Sequence, residues 1–227
     1  MNRDNYQEKR FSFLSSLLSI PDAIGLEIGA CDKPTVPYGA GKCYYADFRT
    51  ADEMAEIWHL SRKNLCDVDY VLQRSIPLSE QISEKFDYVI ACHVIEHIPD
   101  PIGYISEISN ILRKDGFLIL MVPDKIFTFD VNRPVTKIEY LLMNYYHKIS
   151  YPSIENIIEF HRYALEFANK EPVEIDQAFN YAVQYYEGGE ADVHCNVWDD
   201  KSFDSQFNEL CNAGFLNNMK YFSFEST

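Results

Sequence analysis

Two short segments of the chain carry residue types that could bind a nucleoside. Glu27 and Gly29 lie at the end of the apolar run GLEIGA, and Asp47 ends the next apolar run. The ends of neighbouring parallel strands share one edge of a sheet, where glycine lets the backbone approach a ligand closely. A carboxylate at the next strand end can accept hydrogen bonds from both ribose hydroxyls. This pair predicts a site for an adenosine ribose.

The glycine pattern distinguishes between adenosine cofactors. A dinucleotide site needs G-x-G-x-x-G at the start of a helix whose N terminus holds the pyrophosphate. Here the segment from Gly25 to Ala30 contains two glycines, and prolines follow it. Phosphate binding is therefore disfavoured, whereas S-adenosylmethionine carries adenosine without phosphate. Glu27 could face the cationic end of that cofactor.

Five apolar runs between residues 23 and 123 alternate with turns or amphipathic segments: AIGLEIGA, KCYYADF, VDYVL, FDYVIAC and FLILMVP. This alternation predicts a Rossmann-like, doubly wound α/β fold with a mainly parallel sheet. We expect seven strands, the last one antiparallel and formed by MKYFSFE. Helices are predicted at 51–63, 101–113 and 202–213. Prolines and glycines in CDKPTVPYGAGK predict a loop in place of the first crossover helix.

Residues 126–190 interrupt this alternation. Two segments with helical periodicity, 136–149 and 153–170, are rich in Tyr, Phe and His. An insertion after the fifth strand lies at the same sheet edge as the predicted cofactor. We therefore predict a single domain over residues 1–227, with residues 126–190 as an inserted substrate-binding lid or subdomain.

Composition excludes several classes of partner. The chain has 20 Lys and Arg against 35 Asp and Glu, a net charge of -15, which disfavours nucleic acids and anionic lipids. No stretch reaches the apolar length of a membrane span, and the N terminus lacks the apolar region of a signal peptide. We therefore expect a cytoplasmic protein without membrane insertion. The sequence leaves the oligomeric state open.

Cysteine and histidine spacing gives no indication of a metal site. The six cysteines form no C-x-x-C pair. Cys92, His93, His97, His194 and Cys195 follow no recognised spacing of metal ligands. We therefore expect no bound metal.

The ordered motifs of the first half resemble class I S-adenosylmethionine-dependent methyltransferases. They are EIGA at 27–30, AD at 46–47, FDYVI at 86–90, IEHIPDP at 95–101 and LRKDG at 112–116. A narrower resemblance, to small methyltransferases found alongside glycosyltransferases in bacterial surface polysaccharide biosynthesis, comes from VPDK at 122–125, TFD at 128–130, Arg133-Pro134 with Thr136, and 194–198. It implies methylation of a small or glycan-related polar acceptor, at oxygen first and at nitrogen as the alternative.

The resemblance also implies roles for individual residues. The cofactor site would contain Glu27, Gly29 and Ala30 at the methionine end, Asp47 at the ribose, Cys92 and His93 beside the methyl group, and Gln73 and Ser75 near the adenine. Proton removal from an acceptor hydroxyl suits a histidine, and the catalytic candidates are His97, His161 and His194, with Asp124 as a further base or orienting group. The candidates for acceptor binding are Lys125, Phe129, Asp130, Arg133 and Trp198.

Structural roles compete with these assignments. His97 could instead bond a backbone carbonyl, and His194 and Trp198 could be core residues. The glycine loop is the short form E-x-G-x-C, and Tyr140 stands where the narrower group more often has His. A non-catalytic S-adenosylmethionine-binding or regulatory module of the same fold is therefore the alternative function. A dinucleotide oxidoreductase is the weakest alternative because its glycine spacing is missing.

Overall fold

A parallel sheet of five strands organises the first half of the chain. The structure is a computed structural model that describes residues 3–188, 191–217 and 219–220. The strands are β1 Ile24–Ile28, β2 Lys42–Asp47, β3 Tyr70–Val71, β4 Phe86–Cys92 and β5 Leu112–Met121. Their order is β3-β2-β1-β4-β5, and every neighbouring pair is parallel. The strand order reverses between β1 and β4, which is the switch point where such sheets bind ligands at their carboxyl edge.

The α/β prediction is confirmed, but the strand count was wrong for the part of the chain that the structure describes. All five apolar runs form strands, whereas residues 191–199 have no regular secondary structure and do not join the sheet. Backbone groups of this segment bond instead to loop residues and to Thr136. The predicted last strand, MKYFSFE, lies outside the described residues except for residues 219 and 220, which are not in a strand.

Eight α-helices surround or follow the sheet within the described residues. They are α1 Arg3–Leu17, α2 Ala51–Ile57, α3 Leu78–Gln81, α4 Pro101–Ile111, α5 Ile138–His147, α6 Ile154–Asn169, α7 Ile175–Gly188 and α8 Asp200–Asn212. The sequence did not predict α1 or α7. None of the helices in the described ranges has the length and apolar character needed to cross a bilayer.

Local chemistry explains where two predicted helices begin and end. Thr50 and Glu53 form a capping box at the start of α2. This helix ends at Ile57 rather than at residue 63, because His59 adopts a left-handed φ of 52° and the Leu60 amide bonds to the Ala55 carbonyl at 3.0 Å. Asp100 caps α4, since its carboxylate accepts the Gly103 amide at 2.8 Å.

The chain divides into two compact units. The first unit comprises Met1–Cys92 and Glu107–Met121, and the second comprises His93–Ser106 and Val122–Thr227. The second unit is thus larger than the insertion expected at residues 126–190, and the lid role of that insertion stays a prediction. The core of the first unit includes Leu14, Val36, Tyr88, Ile90 and Ile119.

The second unit has apolar clusters of its own. One cluster joins α6 and α7 to the segment at residues 191–199. Its buried members are Ile157, Ala182, Val193 and Cys195. Another lies at α8, where the Trp198 ring contacts Phe203 and Phe207 at centroid distances of 5.3 and 5.8 Å. Capping boxes start both α6 and α8, so local sequence and tertiary packing agree on where these helices begin.

The close contact between β1 and β4 gives a stability prediction at Gly25. Gly25 pairs with Tyr88, and a Cβ atom on Gly25 would lie only 1.9 Å from the Tyr88 ring. Because Tyr88 is fully buried, its ring has little room to move. We expect Gly25→Ala to lower the free energy of unfolding by about 1–3 kcal/mol in urea denaturation. Gly25→Ala should lower the free energy of unfolding by less when Tyr88→Leu is also present. An equal decrease in both backgrounds would contradict this explanation.

Candidate active site

The ends of β1 and β2 place Gly29 and Asp47 on adjacent strands. Beyond Ile28, the Gly29 amide donates to the Ala46 carbonyl at 2.9 Å, which continues the parallel pairing by one residue. Gly29 has a φ of 73°, a left-handed conformation that favours glycine. Asp47 is the last residue of β2, and its Oδ1 accepts the Arg49 amide at 3.2 Å. Gly29, predicted at the methionine end of the cofactor, and Asp47, predicted at the ribose, therefore lie at the ends of neighbouring strands.

Glu27 organises the loop that replaces the first crossover helix. The Thr35 amide donates to both carboxylate oxygens at 2.9 and 2.7 Å, and the Thr35 hydroxyl donates to Oε1 at 2.8 Å. Burial raises the pKa of Glu27 above its ordinary value, although these hydrogen bonds and the charge of Arg10 oppose the rise. As predicted, residues 31–41 contain no helix. Whether Glu27 also faces the cofactor's methionine end stays a prediction.

The other cofactor candidates of the first unit have different degrees of exposure. Ala30 is buried against Tyr45 and Cys66. Cys92 is also buried, its Sγ lies 3.7 Å from the Thr35 hydroxyl, and burial raises the pKa of its thiol. Thr35, which sequence reasoning missed, thus contacts both Glu27 and Cys92.

The loop after β3 is exposed and ordered by a side chain. The Gln73 amide donates to Gln81 Oε1 at 2.7 Å, and Gln81 Nε2 donates back to the Gln73 carbonyl at 3.1 Å. Ser75 is exposed in the same loop. Both candidates for adenine contact therefore lie on a surface loop of the first unit.

In the second unit, the irregular segment at residues 191–199 places His194 beside His97. The amides of Cys195 and Asn196 both donate to the Glu96 carbonyl, at 2.7 and 3.0 Å. Asn196 Nδ2 donates to the Ile98 carbonyl at 2.7 Å. These bonds hold residues 194–196 against the loop after β4. The two imidazole rings consequently meet edge to face, with centroids 4.6 Å apart.

An aspartate contacts Nδ1 of each of these histidines. His194 Nδ1 lies 2.5 Å from Asp130 Oδ2, and His97 Nδ1 lies 2.9 Å from Asp192 Oδ1. Such a partner fixes the tautomer and orientation of an imidazole and directs its chemistry to Nε2. Burial would raise the pKa of Asp130, but the hydrogen bond and charge of His194 and the charge of Arg133 outweigh it, so this pKa lies below its ordinary value.

Glu96 is the unusual member of this cluster. Its side chain is 2% exposed, and no described residue donates a hydrogen bond to either carboxylate oxygen. His93, with a left-handed φ of 54°, places its Nδ1 3.5 Å from Oε1 without forming a hydrogen bond. A buried carboxylate without a partner is costly. Each of Glu96, His97 and His194 offers one ligand atom, and these three atoms lie within 4.8 Å of one another.

Two of the four catalytic candidates have other local roles. His161 stacks on Tyr181, with ring centroids 3.5 Å apart, and burial lowers the pKa of its imidazole. Asp124 caps the short 3-10 helix Lys125–Phe127 by accepting the Ile126 amide at 3.0 Å. The structure thus brings His97 and His194 together and gives His161 and Asp124 contacts of a structural kind.

The residues expected to bind the acceptor separate into two groups. Those of the first group contact His194, and those of the second bond other residues of the protein. Phe129 packs on His194 with ring centroids 4.7 Å apart, and Asp130 bonds the same ring. Arg133, expected to clamp an anionic acceptor, is 1% exposed and bonds Asp130 at 2.9 Å, so its guanidinium is committed to the interior.

Trp198 and Lys125, like Arg133, bond other residues of the protein. Trp198 is 2% exposed and donates its indole N–H to Gln206 at 3.0 Å, a geometry that favours a core role. Lys125 Nζ donates to the Val131 carbonyl at 3.0 Å.

Sequence reasoning missed Glu96 and Asp192 as members of the histidine cluster. Glu96 lies next to His97 in the IEH motif, and Asp192 lies two residues before His194. Carboxylates adjacent to candidate histidines were the available signal. The contact between the two motifs, almost one hundred residues apart in sequence, was not visible without the fold.

Comparison with known proteins gives the family. Residues 20–163 match the model of a methyltransferase domain, which is more than half of the chain. The protein therefore belongs to this methyltransferase domain family, and the family expected from the motifs is confirmed.

Individual relatives are more distant. The ubiquinone biosynthesis O-methyltransferase of Neisseria meningitidis serogroup C (strain 053442) is 28% identical over 67 residues, which cover 30% of this chain and 28% of that protein. The chain thus matches less than a third of the length of this curated relative.

Two solved structures are similar to parts of the chain. A protein described as a putative Zn-dependent alcohol dehydrogenase from Rhodobacter sphaeroides has a TM-score of 0.53 at 14% identity, covering 96% of this chain and 82% of its own. An S-adenosylmethionine-dependent methyltransferase from Clostridium acetobutylicum ATCC 824 has a TM-score of 0.41 at 14% identity, covering 58% and 55%. At 14% identity, the likeness to the first of these structures concerns the fold alone.

Proposed function

We propose that this protein binds S-adenosylmethionine and transfers its methyl group to a hydroxyl oxygen of a small or glycan-related polar acceptor. The observation that carries the proposal is the placement of Gly29 and Asp47 at the ends of adjacent strands in a methyltransferase domain. The curated relative named as an O-methyltransferase supports oxygen as the methylated atom.

The first unit would hold the cofactor. Asp47 would accept hydrogen bonds from the ribose hydroxyls, and the left-handed Gly29 would let the backbone approach the methionine end. Glu27 and Ala30 complete that end, and Gln73 and Ser75 contribute to the adenine pocket. Cys92 closes β4, and the next residue, His93, begins the second unit. We assign both Cys92 and His93 to the region of the methyl group.

The second unit would hold the acceptor. In the reaction, the acceptor oxygen attacks the methyl carbon in line with the C–S bond, and the sulfonium leaves as the neutral thioether S-adenosylhomocysteine. Positioning of this kind can contribute about 7–11 kcal/mol. The hydroxyl must also lose its proton, and we assign this step to the cluster of His97, His194 and Glu96. Phe129 packs beside that cluster and would contribute to acceptor binding.

Isothermal titration tests the cofactor assignment. Wild-type protein should bind S-adenosylmethionine and S-adenosylhomocysteine, and we expect Asp47→Ala to weaken both about 10–100-fold, because hydrogen bonds to a charged acceptor contribute about 1.5–3 kcal/mol. Asp67→Ala is the matched control, since this exposed carboxylate of the same unit pairs only with Arg62 among the contacts described. Failure of well-folded wild-type protein to bind either ligand would remove the proposal.

A non-catalytic cofactor-binding module is the second candidate, favoured by the short glycine loop. Cys31 occupies a left-handed position in that loop, with a φ of 51°, where glycine would be less strained. Mass spectrometry of methylated products from a panel of sugar acceptors distinguishes the two functions. Cofactor binding without turnover on any acceptor would favour the module.

A further inference from the structure

We propose that Glu96, His97 and His194 form a binding site for a divalent transition-metal ion, with Zn²⁺ as the preferred occupant. The three residues offer one ligand atom each within 4.8 Å of one another. Two imidazoles and one carboxylate, with further positions open to water or substrate, are the donor set of many catalytic zinc sites. All three belong to the second unit.

The spacing suits coordination after a small adjustment. Ligand atoms about 2.0–2.2 Å from a zinc ion lie about 3–4 Å from each other. Side-chain rotations that move each ligand atom by less than about 1 Å would therefore bring all three within coordination distance of one ion. His97 is partly exposed, with 27% of its side chain accessible. This exposure gives an ion a route to a cluster in which Glu96 and His194 are buried.

The buried carboxylate of Glu96 is the second, independent observation, since His93 Nδ1 lies 3.5 Å from Oε1 without forming a hydrogen bond. It is buried beside two imidazoles while receiving no hydrogen bond from the described residues. Buried charges are normally paired, hydrogen-bonded or bound to metal. A cation between Glu96 and the histidines would supply the missing partner.

The histidines already have the outer contacts that metal ligands need. Metal-ligating histidines usually donate their second ring N–H to a carboxylate, which fixes the tautomer and makes the ligating nitrogen more basic. Here Asp130 lies 2.5 Å from His194 Nδ1, and Asp192 lies 2.9 Å from His97 Nδ1. The His194 ring is therefore oriented to coordinate through Nε2, and Asp192 places a carboxylate charge beside the His97 ring.

The local charge also favours a cation. The Glu96 and Asp130 carboxylates are both buried, and the Arg133 guanidinium bonds Asp130. The Asp192 carboxylate beside His97 is 41% exposed. Glu159, at 3.5 Å from Arg133, adds a further, half-exposed carboxylate. A divalent ion would offset the buried charge of Glu96, since Arg133 is paired with Asp130.

The site uses the same residues as the cluster assigned to proton removal, and zinc binding can be tested without methyl transfer; an ion there would suit the proposed reaction. A zinc ion with an open position acts as a Lewis acid and lowers the pKa of a bound hydroxyl. The residues of the chain would hold the ion, orient the two imidazoles and exclude water. Sequence reasoning expected no metal because it considered the histidines and cysteines without Glu96.

Metal titration of the full chain tests the proposal. After dialysis against a chelator, wild-type protein should bind one Zn²⁺ per chain in calorimetry with ZnCl2, with a Kd of about 1 μM or tighter, and zinc should raise its Tm. Glu96→Gln and His194→Gln should each weaken binding at least 100-fold. Asp192→Asn should weaken it about 10–100-fold. Co²⁺ should give visible absorption without a thiolate charge-transfer band, which excludes binding by the cysteines.

Matched controls make the outcomes decisive. Glu139→Gln and His147→Gln change exposed residues of α5 and should leave zinc affinity unchanged. Circular dichroism confirms that each variant is folded, and His97→Gln replaces any variant that is not. Absence of stoichiometric zinc binding by wild-type protein, or equal binding by Glu96→Gln, would overturn the proposal. Zinc binding without S-adenosylmethionine binding would contradict the proposed function and support the metal site.

Discussion

Replacing Arg133 by methionine should lower the free energy of unfolding by about 3–5 kcal/mol. Arg133 is 1% exposed and bonds Asp130 at 2.9 Å in the interior of the second unit. Removing one partner of a buried ion pair leaves the other charge buried with less compensation, and the loss of this compensation is strongly destabilising. Urea denaturation followed by intrinsic fluorescence measures the effect.

Two further variants separate this explanation from a simple loss of packing. Arg162→Met removes an exposed arginine of α6 and should change stability by less than about 0.5 kcal/mol. Adding Asp130→Asn to Arg133→Met removes both charges and should recover part of the loss. If the double variant is less stable than Arg133→Met alone by the full cost of Asp130→Asn, the two charges are not coupled.

The pH dependence of the same variant has a definite sign. The folded-state pKa of Asp130 lies below its ordinary value, because the contacts with His194 and Arg133 outweigh its burial. A carboxyl of this kind contributes stability that is present above its unfolded pKa of about 3.9 and is lost as pH falls through the folded value. The difference in the free energy of unfolding between wild type and Arg133→Met should therefore become smaller below about pH 4.

The sheet could be predicted because its evidence is local. The apolar runs of β1 and β4 end in turn residues, which is how strands buried on both faces of a parallel sheet appear in sequence. The loop at residues 31–41 was predictable because prolines and glycines discourage a helix there. The end of α2 was missed, since the left-handed turn at His59 involves a residue without the usual glycine signature.

The histidine cluster could be predicted only in part. His97 and His194 were recognised as separate candidates, but their contact depends on amides at 195 and 196 bonding to the Glu96 carbonyl. That bond joins two loops distant in sequence, and no periodicity reports it. Arg133 and Trp198 show the converse error. Their residue types suit a binding pocket, but burial commits them to internal partners instead.

His194→Ala should reduce kcat for methyl transfer about 10²–10⁴-fold while leaving S-adenosylmethionine affinity within about twofold. Within the proposed function, His194 belongs to the group that removes the hydroxyl proton, and general base catalysis contributes a factor of this size. The same loss is expected if the ring holds a zinc ion that lowers the hydroxyl's pKa, because the ion would leave with its ligand. The cofactor candidates of the first unit are untouched by the change.

The measurement uses the sugar acceptor on which wild-type protein gives methylated product, with calorimetry of S-adenosylmethionine binding in parallel. His147→Ala, an exposed histidine of α5, is the control and should keep wild-type turnover. Asp130→Asn should give an intermediate loss, because the ring stays but its orienting carboxylate is gone. Wild-type turnover by His194→Ala would exclude the cluster from proton removal. Loss of cofactor binding by the same variant would show that His194 acts on the fold rather than on the acceptor.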